Sequence, residues 1–228
     1  VKGEWLGSFV EYNTVYDSSM NMFVFDTTKT AEDKTVTLDS DRRGDTTNWD
    51  GLTDWGDGNI NNNISHTYTN DGIYMVKTKH VLDQSTSGNN NTKKKLIDCI
   101  NINKNITNLS DMFSNCINVV EFTNSSKFNT SNVTNMWGMF YNCNKLSVLN
   151  VSNFNTSKVT TMGEMFRGCS TLTTLDLSNW NTSKVTNMDR MFQNCNNITT
   201  LDLSNFNTSN VTNMYAMFNN CNNLTTLN

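Results

Sequence analysis

Apolar residues recur at a fixed interval through the second half of the chain. A Met-Phe-x-x-Cys block occurs at Met112-Phe113…Cys116, Met139-Phe140…Cys143, Met165-Phe166…Cys169, Met191-Phe192…Cys195 and Met217-Phe218…Cys221, with the cysteines 27, 26, 26 and 26 residues apart. Other apolar columns keep the same step: Val133, Val159, Val185, Val211; Met136, Met162, Met188, Met214; Leu149, Leu175, Leu201, Leu227. Phe154, Trp180 and Phe206 form an aromatic column. A unit with about nine apolar positions cannot bury them alone, so neighbouring units must cover one another in a stacked solenoid. Within a unit, Leu172-x-x-Leu175-x-Leu177 alternates at period two and predicts a short strand. Successive strands would pair as a parallel sheet about 4.8 Å apart. Asn181-Thr182-Ser183 predicts a turn, Val185-Thr186-Asn187-Met188 a second short extended piece, and Met191-Phe192-x-x-Cys195 a turn of helix closing the coil. The first copy, 96–116, keeps register at Ile106, Leu109, Met112 and Phe113 but is shortened, as a terminal capping repeat would be.

The first ninety residues carry no repeat. Alternating runs at Met22-Phe23-Val24-Phe25, Thr35-Val36-Thr37-Leu38 and Ile73-Tyr74-Met75-Val76-Lys77, separated by turn signals, predict antiparallel strands with one wet face. The stretch 83–95, rich in Asn, Ser and Thr, predicts a linker. The division expected is therefore 1–82 as an antiparallel β domain, 83–95 as linker and 96–228 as a solenoid, a mainly β chain.

Composition narrows the function. Apolar residues make up 36% of the 228 and there is no proline, which argues against one ordinary globular core. Net charge is −4 and the one basic block is Lys93-Lys94-Lys95, so nucleic acid is not an expected partner. No apolar run reaches the roughly 18–20 residues of a membrane span. The chain opens at Val1 and stops inside a repeat, which reads as a processed chain or a fragment.

The unit Leu-x-x-Leu-Asp-Leu-Ser-x-(Phe/Trp)-Asn-Thr-Ser-x-Val-Thr-x-Met-x-x-Met-Phe-x-x-Cys, as at 172–195, resembles the BspA-like subclass of leucine-rich repeats. That resemblance covers roughly residues 96–228 and implies a surface or secreted protein that adheres to host proteins, matrix or other cells. Asp54-Trp55-Gly56-Asp57-Gly58, with His66-Thr67-Tyr68 and Gly72-Ile73-Tyr74-Met75-Val76, resembles polycystic-kidney-disease-type (PKD-like) β-sandwich domains, which implies a spacer or adhesion module.

Each candidate site competes with a structural reading. The ladder Cys116, Cys143, Cys169, Cys195 and Cys221 cannot gather four ligands around one metal. Disulfides between neighbouring coils would put parallel Cβ vectors at a strained torsion, so the ladder reads as small buried core, alongside Phe113, Phe140, Phe166, Phe192 and Phe218. Asp54, Asp57 and Asn59 could hold calcium, but an EF-hand loop begun at Asp54 would end on Ser65 in place of glutamate. The glycines there read as a tight turn. Asp176 and Asp202 should project from the strand towards solvent, where they could hold calcium or meet sugar hydroxyls, but two carboxylates are few for calcium and a solvated Thr/Asp ladder is the favoured reading. The only histidines are His66 and His80, and no nucleophile, base and orienting group come together in the sequence, so no catalytic residue and no cofactor is expected.

Copies compared within the chain differ most between the two methionine columns: Trp137-Gly138, Gly163-Glu164, Asp189-Arg190, Tyr215-Ala216. The residue after Phe also varies, through Tyr141, Arg167, Gln193 and Asn219. Free variation fits exposure. The bland reading is exposure without packing; the alternative is that Trp137, Tyr141, Arg167, Asp189, Arg190 and Tyr215 form a binding patch, since aromatics and arginine dominate interface hot spots. The expected function is non-catalytic binding outside the cell, to a protein or glycan on another cell. The alternative is a structural or decoration component of a virion or surface array, with the solenoid as spacer.

Overall fold

The computed structural model describes residues 20–30, 33–39, 52–78, 81–82, 91–102, 105–122 and 124–228. His80 and residues 83–90 of the expected linker lie outside these. The protein is mainly β, with one helix of five residues, Asn91–Lys95 (α1), and no closed barrel among the described residues.

The strands are β1 (Asn21–Asp26), β2 (Thr35–Asp39), β3 (Thr53–Asp54), β4 (Ile60–Asn61), β5 (Ser65–Thr67), β6 (Ile73–Thr78), β7 (Val81–Leu82), β8 (Leu96–Asn101), β9 (Thr200–Leu201) and β10 (Thr226–Leu227). One sheet has the order β4-β3-β6-β1-β8 and a second the order β5-β2-β7. Phe23, Phe25 and Val76 of the first share a core with Val36, Leu38 and Leu82 of the second, closed by Trp55 and Tyr68. Apolar alternation built these strands, as expected for antiparallel pairs. One difference stands out: all six residues of β1 are buried, with no wet face. β1 lies centrally between β6 and β8, so its flanks are covered as well as its faces.

β8 corrects the expected boundary at residue 96. It is an edge strand of the five-stranded sheet, antiparallel to β1 with Phe23 opposite Cys99 and Phe25 opposite Leu96. The linker expectation fails at 91–95 for a related reason. Lys93 and Lys95 are both fully buried in α1. The Lys95 ammonium donates to the Thr35 and Asn91 carbonyl oxygens at 2.9 and 3.3 Å and pairs with Asp33 at 3.3 Å. That of Lys93 points the other way, donating to Asp111 O at 2.7 Å and Ser114 Oγ at 2.9 Å in the first repeat. Buried ammoniums persist only where carbonyls or carboxylates satisfy their protons, and α1 supplies such partners on both sides. The core is accordingly continuous from the two sheets into the repeats.

From residue 107 onward, successive repeats hydrogen-bond side by side as rungs. Parallel bridges link Asn108, Asn135, Thr161, Asn187 and Asn213 in one unbroken column. This column runs through the Val-Thr-x-Met segment. The Leu-x-x-Leu-x-Leu segment, expected to carry the main parallel sheet, pairs in parallel at β9 with β10 and at a bridge between Glu121 and Val148. The expected helical turn is absent too. Gly138, Phe140 and Asn142 donate their N–H groups to the next rung, at Gly163 O, Met165 O and Arg167 O, while Met139, Tyr141 and Cys143 donate back three residues within their own rung. The backbone enters the left-handed region twice per rung: at Asp111, Gly138, Glu164, Arg190 and Ala216, and at Asn115, Asn142, Gly168, Asn194 and Asn220. Repeated positive φ is incompatible with α-helix, and the Asn/Gly column before each cysteine is the residue choice such a backbone favours.

The phenylalanines stack rung on rung, with centroids 5.7, 5.8, 5.6 and 5.8 Å apart from Phe113 to Phe218. Phe113, Phe140, Phe166 and Phe192 are fully buried; Phe218 and Cys221, with a neighbouring rung on one side, are partly so.

Candidate functional site

Most polar side chains on the rungs are used internally. Thr134, Thr160, Thr186 and Thr212 each donate a hydroxyl to the preceding rung's threonine-column carbonyl at 3.1–3.2 Å. Buried Thr130, Thr156 and Thr182 clamp the following rung, accepting from the N–H and donating to the carbonyl of Asn155, Asn181 and Asn207. The Asn-Thr-Ser triplet is thus a joint between rungs as well as a turn. Asp176 and Asp202 face solvent, as expected, and they also close turns: Asp176 Oδ1 accepts from the Ser178 hydroxyl at 2.6 Å and N–H at 3.1 Å, and Asp202 Oδ1 from the Ser204 N–H at 3.0 Å. These serine donors hold both carboxyls below their ordinary range. On the rung before Asp176, the Asn150 amide oxygen closes the same turn with Ser152.

The varying column behaves differently. The Trp137 ring lies in the space that a side chain at residue 163 would fill, so Gly163 is what admits it. Gly138 likewise makes room for the Asp111 carboxylate. On the following rungs the Arg167 guanidinium sits over the Tyr141 ring, 5.4 Å from its centroid, and bonds to Glu164 at 2.9 Å. Arg190 sits over Tyr215 at 4.9 Å, bonds to Asp189 at 2.6 Å and lies 3.7 Å from Glu164. Trp137, Tyr141, Arg167 and Arg190 are half-buried and Tyr215 is 66% exposed. Five of the six expected patch residues therefore line one strip across four rungs.

Asp189 is the correction. Expected to be exposed, it is 5% exposed, because it lies beneath Arg190 as that side chain's counter-ion. Sequence reading also passed over Glu164, the acid that joins the two arginines. A signal for it was present: Glu164 and Arg190 occupy one column in adjacent copies, with opposite charge.

The thiols carry a role beyond filling space. Cys143, Cys169, Cys195 and Cys221 donate through Sγ to Phe113 O, Phe140 O, Phe166 O and Phe192 O of the previous rung at 3.0–3.1 Å. All six cysteines are free. Burial pushes the thiols of Cys99, Cys116, Cys169, Cys195 and Cys221 up from their usual range. No group of three or more metal-type ligands occurs among the described residues.

In the two-sheet region, His66 Nε2 meets Asp57 Oδ2 at 2.7 Å, stacks on Trp55 at 5.2 Å and meets Tyr68 edge-on at 4.6 Å. The Asp57 carboxyl, partly desolvated, is nonetheless lowered by His66 and the Asn59 N–H and amide. Asp54 Oδ1 accepts from the Gly56 N–H at 2.9 Å, so both acids serve the tight turn. Gly56 has φ +80° and a Cβ there would stand 2.6 Å from Met75 O. Burial, then the Asp57 charge, raises the Tyr68 phenol, which donates to Trp55 O at 2.9 Å.

No helix among the described residues is long and apolar enough to cross a membrane. No curated protein and no solved structure matches the chain. Residues 107–227, just over half of it and the whole run of hydrogen-bonded rungs, match the family described as Mycoplasma protein of unknown function, DUF285, and the chain belongs to that family.

Proposed function

We propose that this protein is a non-catalytic binding protein displayed outside the cell, with a BspA-like leucine-rich-repeat solenoid carrying the contact surface and a PKD-like β-sandwich supporting it. The parallel bridge column and 26-residue step support the solenoid; the two sheets around Trp55 and Tyr68 support the sandwich. The observation that carries the function is the strip of Trp137, Tyr141, Arg167, Arg190 and Tyr215. Here side chains differ from copy to copy along the rung surface, and large rings lie against neighbouring groups. Rings ordered in advance lose little entropy on binding, and such aromatic–arginine sets anchor interfaces.

The test is attachment of the full chain, coupled to fluorescent beads, to cultured animal cells. Arg190→Ala combined with Tyr215→Ala should lower attachment at least 10-fold, while Thr186→Ala on the threonine column leaves it within 2-fold. Equal attachment by the strip variant and the unmodified protein would remove the strip from the function.

A further inference from the structure

We infer that the strip takes an uncharged oligosaccharide, laid along the rungs from Tyr215 to Trp137. This rests on the binding function proposed above and names its ligand class. Three observations lead to it.

The first is charge. The strip's guanidiniums are already matched: Arg167 to Glu164 at 2.9 Å, Arg190 to Asp189 at 2.6 Å and to Glu164 at 3.7 Å. Two acids offset the two cations and the Asp111 carboxylate beside Gly138 adds a third acid, so no net positive field remains to draw in a sulfated, sialylated or phosphorylated ligand. Both arginines remain half-buried, and a guanidinium carries five N–H donors, only some of which these ion pairs use. Donors and carboxylate lone pairs held side by side suit a hydroxyl group, which both gives and accepts a hydrogen bond.

The second is ring geometry. Arg167 and Arg190 sit over Tyr141 and Tyr215, and Trp137 lies across the Gly163 position. The face of an aromatic ring is electron-rich, and the axial C–H groups of a pyranose present slightly positive hydrogens to it. Tyr215, 66% exposed, is the most open ring. Trp137 and Tyr141 share a rung with Gly138, and Tyr215 lies three rungs further on. At roughly 4.8 Å per rung this gives about 14 Å, the length of about three linked pyranoses.

The third is the amide fringe. Gln193 Nε2 donates to Asn219 Oδ1 at 3.0 Å and Asn142 Nδ2 to Asn115 Oδ1 at 2.8 Å. These occupy the column of Tyr141 and Arg167 or the one beside it, leaving amide groups beside the rings. Amides, paired charges and rings together read hydroxyls and C–H faces; no Val, Leu, Ile or Met, which would favour a protein's apolar core contact, occupies the varying positions 137, 138, 141, 163, 164, 167, 189, 190, 193, 215, 216 and 219, and Ala216 offers only a methyl.

The probe is an array of neutral, sialylated and sulfated oligosaccharides screened with the full chain, followed by calorimetric titration of the strongest neutral trisaccharide or longer. The inference expects neutral binding that changes less than 2-fold between 0.05 and 0.5 M NaCl, since an uncharged ligand gives screening nothing to act on. Tyr215→Ala should weaken it at least 10-fold. Tyr215→Phe, which keeps the ring and the fold, should stay within 3-fold. Binding confined to sulfated or sialylated glycans, binding lost in salt, or neutral binding indifferent to Tyr215→Ala would each overturn it. Bead attachment to cells that falls with the strip variant yet survives enzymatic removal of cell-surface glycans would overturn the ligand class while leaving the binding function standing. Attachment indifferent to the strip variant would overturn both.

Discussion

Phe192 and Asp189 stand three residues apart and are both buried, but by different physics. Phe192 is stacked between Phe166 and Phe218, with interplanar angles of 11° and 3°. Truncating such a ring removes contacts on two rungs at once, so Phe192→Ala should cost about 3–5 kcal/mol. Asp189 is buried beneath Arg190 and accepts from it at 2.6 Å. A hydrogen bond to a charged group is worth more than a neutral one, and Asp189→Ala should cost about 1–2 kcal/mol. Urea melts of the two variants check this; an Asp189→Ala cost within error of zero would mean that the carboxylate does not hold Arg190. Gly56 gives a backbone counterpart. Its φ of +80° and its approach to Met75 O leave no room for a Cβ, so Gly56→Ala should cost more than about 1 kcal/mol and show as a lower melting temperature.

Among the elements, α1 joins the two halves of the molecule. Its Lys95 ammonium faces the sheets and its Lys93 ammonium the first rung. Burial lowers the Lys95 ammonium's pKa, Asp33 opposing that effect. The Asp33 carboxyl, against its own partial desolvation, is held down at about 2 from 3.8 by the Thr35 N–H, the Asn91 amide and Lys95. An unfolded chain therefore takes up this proton near pH 3.8 while the folded one resists until about 2. The stabilisation is complete above about pH 4 and is lost as the pH falls through that window. Asp33→Asn should lower the urea midpoint at pH 7 and flatten its fall between about pH 4 and 2. Midpoints of protein and variant that decline in parallel would show that the Asp33 carboxylate and its partners contribute nothing to this pH dependence.

For the molecule as a whole, the shared core predicts a single transition joining β8 to the rungs it precedes. Cys99 lies in β8 and Cys143 and Cys169 in the rungs, all fully buried. Burial keeps Cys99 and Cys169 protonated, and a thiol without thiolate character or access reacts slowly. In native buffer at pH 8, iodoacetamide should label Cys221, partly buried, ahead of these three. In rising urea, Cys99 and Cys143 should become reactive at one midpoint, read by peptide mass spectrometry, because the sheets and rungs share one core. Midpoints more than about 1 M apart would mean that the sheets and rungs unfold as separate bodies, as a nearest-neighbour stack permits.

Periodicity and local propensity, both legible along the chain, were enough for the step of the repeat, the columns that pack, the antiparallel runs before residue 90 and five of the six residues on the strip. A column filled by the same residue in every copy leaves few places for it but the core. The remainder came from the three-dimensional arrangement. Which segment carries the parallel ladder depends on where the N–H groups of one rung meet the carbonyls of the next, and the left-handed turns at Gly138 and Asn142 direct those groups sideways. Whether a lysine is exposed depends on what surrounds it, and three consecutive lysines look alike until carbonyls from residues 35, 91 and 111 converge on two of them. Asp189 is buried for the same kind of reason: its cover is a neighbouring arginine held in turn by a tyrosine one rung away. Contacts of that sort are set by neighbours in space, which no one-dimensional pattern records.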